Sequence, residues 1–390
     1  MKINNIFIYA LNVFLYYLSL IVPKKKNTWI FGAWMGNKYA DNSKYLFEFI
    51  NENCPSINAI WITDDQGIVN ELRKKNVRVY KKYSLGAIYW GLKASCSIFV
   101  HSNMSDVMPF LNNKKTKLIQ LWHGIPLKKI GFDDTKYTYK VEGPIKAKIK
   151  SIFFPFLLES YDVIIASSNE DKEKFVTAFR NTNIYITGYP RNDILIKNKS
   201  HTDINKELIV TYLPTFRDGI GASVDLFSSY KFDVTKWEEV LKMENIKLKI
   251  KMHPVNRPSN DILNLLNSID QIEFLDEIDI TDYLNKTDIL ITDYSSVYFD
   301  YLLTGKPIIF SPFDYELYLS KDRELYYVYN EVTPGPKCKD WSDVLGWIIN
   351  FKNNMMLYSD ERTSMCNKFH RFNDKFNSLR VYELIQSIIK

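Results

Sequence analysis

The sequence predicts an α/β fold of two Rossmann-like domains whose parallel sheets face a cleft, preceded by a membrane-associating helix. Three observations carry this expectation. Beyond Lys26, short apolar runs alternate with amphipathic segments, the pattern of a parallel sheet covered on both faces. A polar stretch without strong periodicity interrupts the alternation near residues 191–206, and the alternation then starts afresh. The opening segment is apolar for about 20 residues, near the length that spans a bilayer. The expected division is a helix at 1–26, a first domain at 27–190, a linker at 191–206 and a second domain at 207–390. At 390 residues, 46% hydrophobic and 25% charged, the chain is that of a folded protein too long for one ordinary core.

In "MKINNIFIYALNVFLYYLSLIVPKKKN", Asn5, Asn12 and Ser19 recur every seven residues with Tyr9 and Tyr16 between them. At helical spacing they form one narrow polar stripe on an apolar cylinder. No small-residue cleavage site follows, which argues against a signal peptide. We expect an interfacial helix in the cytoplasmic leaflet, with Lys24, Lys25 and Lys26 on anionic head groups. Were the helix to span instead, those lysines would still leave the remaining chain in the cytoplasm.

"NTWIFGAW" then reads as a strand ending in Gly32, "DNSKYLFEFINEN" as a helix, "NAIWIT" as a strand and "DQGIVNELRKKN" as a helix. "VRVY", a helix opening at Ser84, "CSIFVH" and "KLIQLW" follow. "YDVIIASS" and "NIYITGYP" bracket the helix "EDKEKFVTAF". In the second half, "LIVTYLP", "IKLKIKMHP", "IEFLD", "DILITD" and "KPIIF" are strands, separated by helices centred near Trp237, Leu265, Tyr283 and Phe299. Helical segments from about Asp340 to Lys390 close the chain.

Composition narrows the function. A formal charge of +6, from 51 basic and 45 acidic residues, is a modest surplus that suits anionic substrates or lipid head groups. No nucleic-acid-binding signature is present, so no nucleic-acid partner is expected. Cys54, Cys96, Cys338 and Cys366 lie far apart without a CxxC pair, and neither a zinc site nor a disulfide framework is indicated. No dedicated metal cluster and no tightly bound cofactor are expected. The absence of GxGxxG, GxxxxGK[ST] and GxSxG motifs removes support for nicotinamide, P-loop and α/β-hydrolase readings.

In open α/β sheets, ligands sit beyond the carboxyl ends of the strands, so polar residues there are the candidates. His123 follows "KLIQLW" and is either a satisfied core histidine or a ligand-facing group. Gly124 and Pro126 favour the second, because they shape a turn where backbone can approach a ligand. His253 ends "IKLKIKMHP", with Lys251 on the same side of the strand by alternation; a solvated lysine and a capping histidine are the alternative. His101 also ends a strand, but its neighbours add no cation or turn proline. His201 and His370 read as surface residues. In "DILITDYSSVYFDYLLTGKPIIF" a strand runs into Asp293, and Ser295 and Ser296 open a helix whose unpaired N–H groups suit phosphate. A serine N-cap explains one of the two equally well. Asp293 and Asp300 could cap, orient a cation or hold a polyol hydroxyl. Arg191 and Arg217 each follow a proline after a strand, and arginine is the preferred forked donor to phosphate oxygens.

In order, "LWHGIPLKKIG", "TGYPRND", "YLPTFRD", "KMHP" and "LITDYSSVYFDYLLTGKPIIF" resemble the CDP-glycerol glycerophosphotransferase family of teichoic acid synthesis, as does "GNKYADNSKYLFEFI". The resemblance covers about residues 28–385, and the length is like that of single-module members. It implies a GT-B architecture, peripheral attachment to the cytoplasmic face of the cell membrane, and CDP-glycerol as the substrate from which glycerol phosphate is taken. By motif, Trp122, His123, Gly124, Ile125 and Pro126 would line the CDP-glycerol site, with Ile125 where threonine is frequent. Arg191, Pro214, Thr215, Arg217, Lys251, Met252, His253, Ser295, Ser296 and Asp300 would complete it. The histidine of the WHG motif is the proposed base in such enzymes, and His253 is the second residue expected to act in catalysis.

The chemistry so implied is attack of an acceptor hydroxyl on the phosphorus bearing glycerol, with release of CMP. A near-neutral imidazole suits removal of the hydroxyl proton, and fixed positive groups suit the charge spread over the phosphoryl oxygens. The expected acceptor is undecaprenyl-linked: a lipid-linked disaccharide or a glycerol phosphate chain end, with a capsular repeat as a third possibility. Competing expectations are a CDP-ribitol or other CDP-polyol transferase, a GT-B enzyme using a nucleotide sugar, and a catalytically silent membrane scaffold.

Overall fold

A computed structural model describes residues 3–134, 154–158, 160–197, 207–215, 217, 225–252, 258–275, 279–321 and 324–389. The chain forms two compact units. The first comprises Met1–His123, Thr138–Asp193 and Asp374–Lys390, the second Gly124–Tyr137 and Ile194–Asn373.

The first unit is built on a seven-stranded parallel sheet. Its strands are β1 (Lys25–Phe31), β2 (Asn58–Thr63), β3 (Val79–Lys81), β4 (Ala94–Phe99), β5 (Lys117–Gln120), β6 (Val163–Ala166) and β7 (Ile184–Ile186). Their spatial order is β3-β2-β1-β4-β5-β6-β7. The order reverses between β1 and β4, which makes their carboxyl ends the topological switch point. The central strands are covered on both faces over most of their length; every residue of β4 is buried.

The second unit repeats the plan with five parallel strands: β8 (Leu208–Leu213), β9 (Ile246–Ile250), β10 (Ile272–Phe274), β11 (Ile289–Thr292) and β12 (Ile308–Phe310). Their order is β10-β9-β8-β11-β12, with the switch between β8 and β11. Trp237, Trp341, Tyr212 and Phe227 fill its core, and the Phe227 and Trp341 rings stack at 5.3 Å.

The contacts divide the chain differently from the uninterrupted runs 27–190 and 207–390. The helix Asn377–Ile389 belongs to the first unit, because Asp193 accepts the N–H groups of Asn377 and Ser378, each at 2.9 Å. Arg380 donates to the Thr187 carbonyl at 2.9 Å, and the Tyr382 ring lies 5.8 Å from Trp29. Gly188 makes the approach possible: its φ is +75°, and a Cβ there would stand 2.0 Å from Asn377 Oδ1. Conversely, the segment after His123 counts with the second unit, where Lys128 bridges Leu325 and Tyr326 N–H donates to the Leu127 carbonyl at 2.9 Å.

The N-terminal helix α1 (Ile3–Ile21) also departs from expectation. Its polar stripe faces the protein: Asn12, Tyr16 and Ser19 are buried. Asn12 donates to the Tyr83 hydroxyl at 2.9 Å, and Ser19 donates to the Tyr16 carbonyl at 2.6 Å. The exposed side is apolar instead, carrying Ile6, Phe7, Phe14, Tyr17 and Ile21. Of the lysines that follow, Lys24 donates to the Leu92 carbonyl, while Lys25 and Lys26 already belong to β1. Among the described residues, no helix is long and apolar enough to cross a membrane.

Candidate active site

At the switch point of the first unit, one buried carboxylate organises two strand ends. Asp106 Oδ1 accepts the Met35 N–H from the loop after β1 at 2.8 Å. Its Oδ2 accepts the N–H groups of Val100 and His101 after β4, at 3.0 and 2.8 Å, and lies 3.7 Å from His101 Nδ1. Burial pushes this carboxyl up, but His101 and the amides of His101 and Met35 outweigh burial and hold it below its ordinary value. The loop it secures is strained: Trp34 and Met35 have φ of 48° and 58°. Lys82, itself nearly buried, donates to the Met35 carbonyl at 3.3 Å and pairs with Asp64 at 3.0 Å.

His123 comes from the third strand end, two residues beyond Leu121. Gln120 sets the turn, donating to the His101 carbonyl at 2.7 Å and accepting the Trp122 N–H at 2.9 Å. Trp122 takes a φ of 53° and packs its ring 4.9 Å from Phe179. The His123 ring lies 4.0 Å from the Trp122 ring, and is stacked on His101 at 4.7 Å with 18° between the planes. Trp34 meets the His101 ring edge-on at 4.6 Å. His123 Nδ1 faces the Val100 carbonyl at 3.5 Å. A carbonyl only accepts, so in this contact Nδ1 carries the proton and the lone pair resides on Nε2.

The His123 pKa is pushed down to about 3. Burial is the main cause, with repulsion from His101 and Arg191 added, against smaller opposing effects of the Val100 carbonyl and Asp106. The ring is therefore uncharged throughout the physiological range.

Two residues of the "ADNS" stretch, at the start of helix α2 (Asp41–Asn53), connect His123 to Arg191. The Asn42 amide donates to the Trp122 and Leu121 carbonyls at 2.9 and 3.3 Å and accepts the Arg191 N–H at 3.2 Å. Asp41 accepts from the Arg191 guanidinium at 2.8 Å. Trp122, His123 and Arg191, expected to act together, are thus joined through Asn42 in one unit.

In the second unit, Pro214 and Thr215 follow β8, and Asp293 follows β11 across the switch point. Asp293 Oδ1 accepts the N–H groups of Thr215 and Tyr294, at 2.8 and 2.6 Å. Arg217, expected on a phosphate, is instead a buried strut. Only 1% exposed, it pairs with Asp293 at 2.5 Å, with Asp314 through Nε and Nη2 at 3.1 and 3.0 Å, and also donates to the Thr215 carbonyl. Its fork is occupied by two carboxylates drawn from distant parts of the chain, which no local motif discloses.

Ser295 and Ser296 are half-buried, and Ser295 Oγ accepts the Val297 N–H at 3.4 Å. The helix they open is short, Val297–Tyr301, and continues as a single 3-10 turn, so its dipole is smaller than the sequence implied. Asp300 is buried. His370, expected at the surface, is buried too, with Nε2 2.7 Å from the Phe299 carbonyl. Burial lowers its pKa, opposed by that hydrogen bond and by the Asp300 charge.

Lys251 and Met252 are half-buried, and Lys251 N–H donates to the Tyr212 carbonyl at 3.0 Å. Gly124, Ile125 and Pro126 are buried in the second unit, with no exposed position at Ile125 for a hydroxyl contact. His253 and His201 lie outside the described residues. Trp34, Asn42 and Asp106 were missed by sequence reasoning, and His101 was noted at a strand end but set aside. The available signal was their place after β1 and β4, the two strands that flank the reversal of order.

Among the described residues, no group of three or more His, Cys, Asp or Glu is arranged to hold a metal ion. The fold resembles that of the wall teichoic acid polymerase TagF, with a TM-score of 0.74 at 21% identity, covering 100% of this chain and 98% of that one. The chain is 28% identical to the teichoic acid poly(glycerol phosphate) polymerase of Bacillus spizizenii, over 85% of its own length and 86% of the relative's. It is 26% identical to the teichoic acid glycerol-phosphate primase of Bacillus subtilis, over 99% and 98%. The family model described as CDP-Glycerol:Poly(glycerophosphate) glycerophosphotransferase matches residues 14–387, and the chain belongs to that family of transferases.

Proposed function

We propose that this enzyme transfers glycerol phosphate from CDP-glycerol to a hydroxyl of a membrane-bound, undecaprenyl-linked acceptor, releasing CMP. The acceptor oxygen attacks the glycerol-bearing phosphorus, its proton passes to His123 Nε2, and the phosphoanhydride electron pair leaves on CMP. The observation that carries this reading is the His123 ring itself, uncharged at a strand end, with Nδ1 turned to a carbonyl. Arriving negative charge from a diphosphate offsets the repulsion from Arg191 and raises the basicity of the ring when substrate is bound. The second unit supplies the CDP-glycerol site through Thr215, Lys251, Met252, His253, Ser295, Ser296 and Asp300. Arg217 and Asp293 hold the two loops of that site in register.

The exposed apolar side of α1 is the membrane-facing surface in this reading. Its aromatic and aliphatic residues enter the head-group region on the cytoplasmic side, while the polar stripe anchors the helix to the first unit.

The test is CMP release by purified enzyme from CDP-glycerol and a short-chain lipid-linked disaccharide, with mass spectrometry of the product. CDP-ribitol serves as a competing substrate. His123→Ala is expected to retain fold and CDP-glycerol binding while losing about 10²–10⁴-fold in turnover. Turnover within a few fold of wild type would remove His123 as the base, and a preference for CDP-ribitol would overturn the substrate assignment.

A further inference from the structure

The first unit contains a second imidazole that neither the family motifs nor the proposed chemistry uses. His101 is stacked on His123 at 4.7 Å with only 18° between the rings. Its own loop is fixed by Asp106, which accepts its N–H and lies 3.7 Å from its Nδ1, and by Gln120, which donates to its carbonyl. Trp34 closes on the edge of the ring. An imidazole held by four separate elements of a switch point is more tightly placed than core filling requires.

We propose that His101 is a positioning residue for the transfer reaction: stacked against His123 and anchored beside Asp106, it fixes the plane of the His123 ring and keeps that ring uncharged until the acceptor gives up its proton. This rests on the reading of His123 as the base. Two positive charges at the stacking distance would repel, and His101 is among the groups that lower the His123 pKa. The Asp106 counter-ion stands beside His101 rather than His123. The other cation acting on His123 is Arg191, paired with Asp41. It acts in the same direction as His101. Once the acceptor oxygen–hydrogen bond breaks toward His123 Nε2, the proton rests between a carbonyl-bound Nδ1 and incoming phosphoryl charge, and the stack keeps the ring aimed.

The experiment compares the full-length wild-type enzyme with His101→Phe, which keeps the stack without a titrating proton, and His101→Ala, which removes both. The readouts are the pH profile of kcat/KM by CMP release and the titration of the side-chain resonances of the five histidines by NMR. In both variants the His123 midpoint and the acid limb of the profile are expected to move up by about one to two pH units. The plateau turnover should stay near wild type in His101→Phe and fall by about tenfold or more in His101→Ala. An unmoved midpoint in both variants overturns the electrostatic role, and equal plateaus in the two overturn the orienting role. His123→Asn separates this from the function itself. Full activity in that variant would remove His123 as base, whereas the midpoint shift reports ring coupling whether or not His123 is catalytic.

Discussion

Replacing Arg217 by methionine distinguishes a strut from a phosphate ligand. The guanidinium is 1% exposed and binds Asp293 and Asp314, both fully buried at the side chain. Methionine fills similar space but leaves two carboxylates facing each other without a counter-charge. Breaking a buried pair in this way costs about 3–5 kcal/mol. At a urea m-value of about 2–3 kcal/mol/M, that moves the unfolding midpoint of the second unit down by about 1–2 M. Urea titration read by hydrogen exchange in the peptides of β8, β11 and β12 confines the measurement to that unit. The triple variant Arg217→Met, Asp293→Asn, Asp314→Asn should recover most of the loss, since it removes the stranded charges along with their partner. An unchanged midpoint together with a raised KM for CDP-glycerol would refute the strut and restore Arg217 to the phosphate.

Three further outcomes are expected. Gly188→Ala forces an L side chain into a positive φ and against Asn377, and should cost about 1–3 kcal/mol, visible as lost exchange protection in the helix Asn377–Ile389. His123 and His370 are both held below their ordinary pKa, so below about pH 6.5 the unfolded chain binds protons that the folded one refuses. Stability should therefore fall as pH drops beneath that value, by about 1.4 kcal/mol per pH unit for His123, with a further fall from His370, and His370→Gln should flatten the slope in urea titrations from pH 7 to 5. Phe7→Glu with Phe14→Glu places charge on the exposed side of α1; co-flotation with anionic vesicles should be lost while thermal unfolding stays unchanged, and retained flotation would refute the membrane-facing assignment.

The strands and their parallel pairing were legible because strands covered on both faces are largely apolar, and short apolar runs mark the strands among the described residues. The place of His123 at a strand end was legible for the same reason. What lies beside it was not. His101 stands twenty-two residues upstream, and the parallel pairing of β4 with β5 brings it to the same spot. The periodicity of α1 disclosed a stripe but not which surroundings the stripe meets. Asn12 faces inward because Tyr83 and the Phe110 amide supply partners there, and neither is local. Arg217 misled for a related reason. A forked cation after a strand suits a phosphate and a carboxylate equally, and the two carboxylates arrive from 76 and 97 positions further along the chain.

The helix Asn377–Ile389 closes the first unit although all of the second unit's residues precede it in the chain. During synthesis, the sheet that carries His123 consequently waits for its last packing partner until the other unit has been translated. Trp29 and the Asp193 carboxylate remain uncovered for that interval, exposed to chaperones and proteases. Loss of the helix Asn377–Ile389 would thus damage the unit whose strands are translated first.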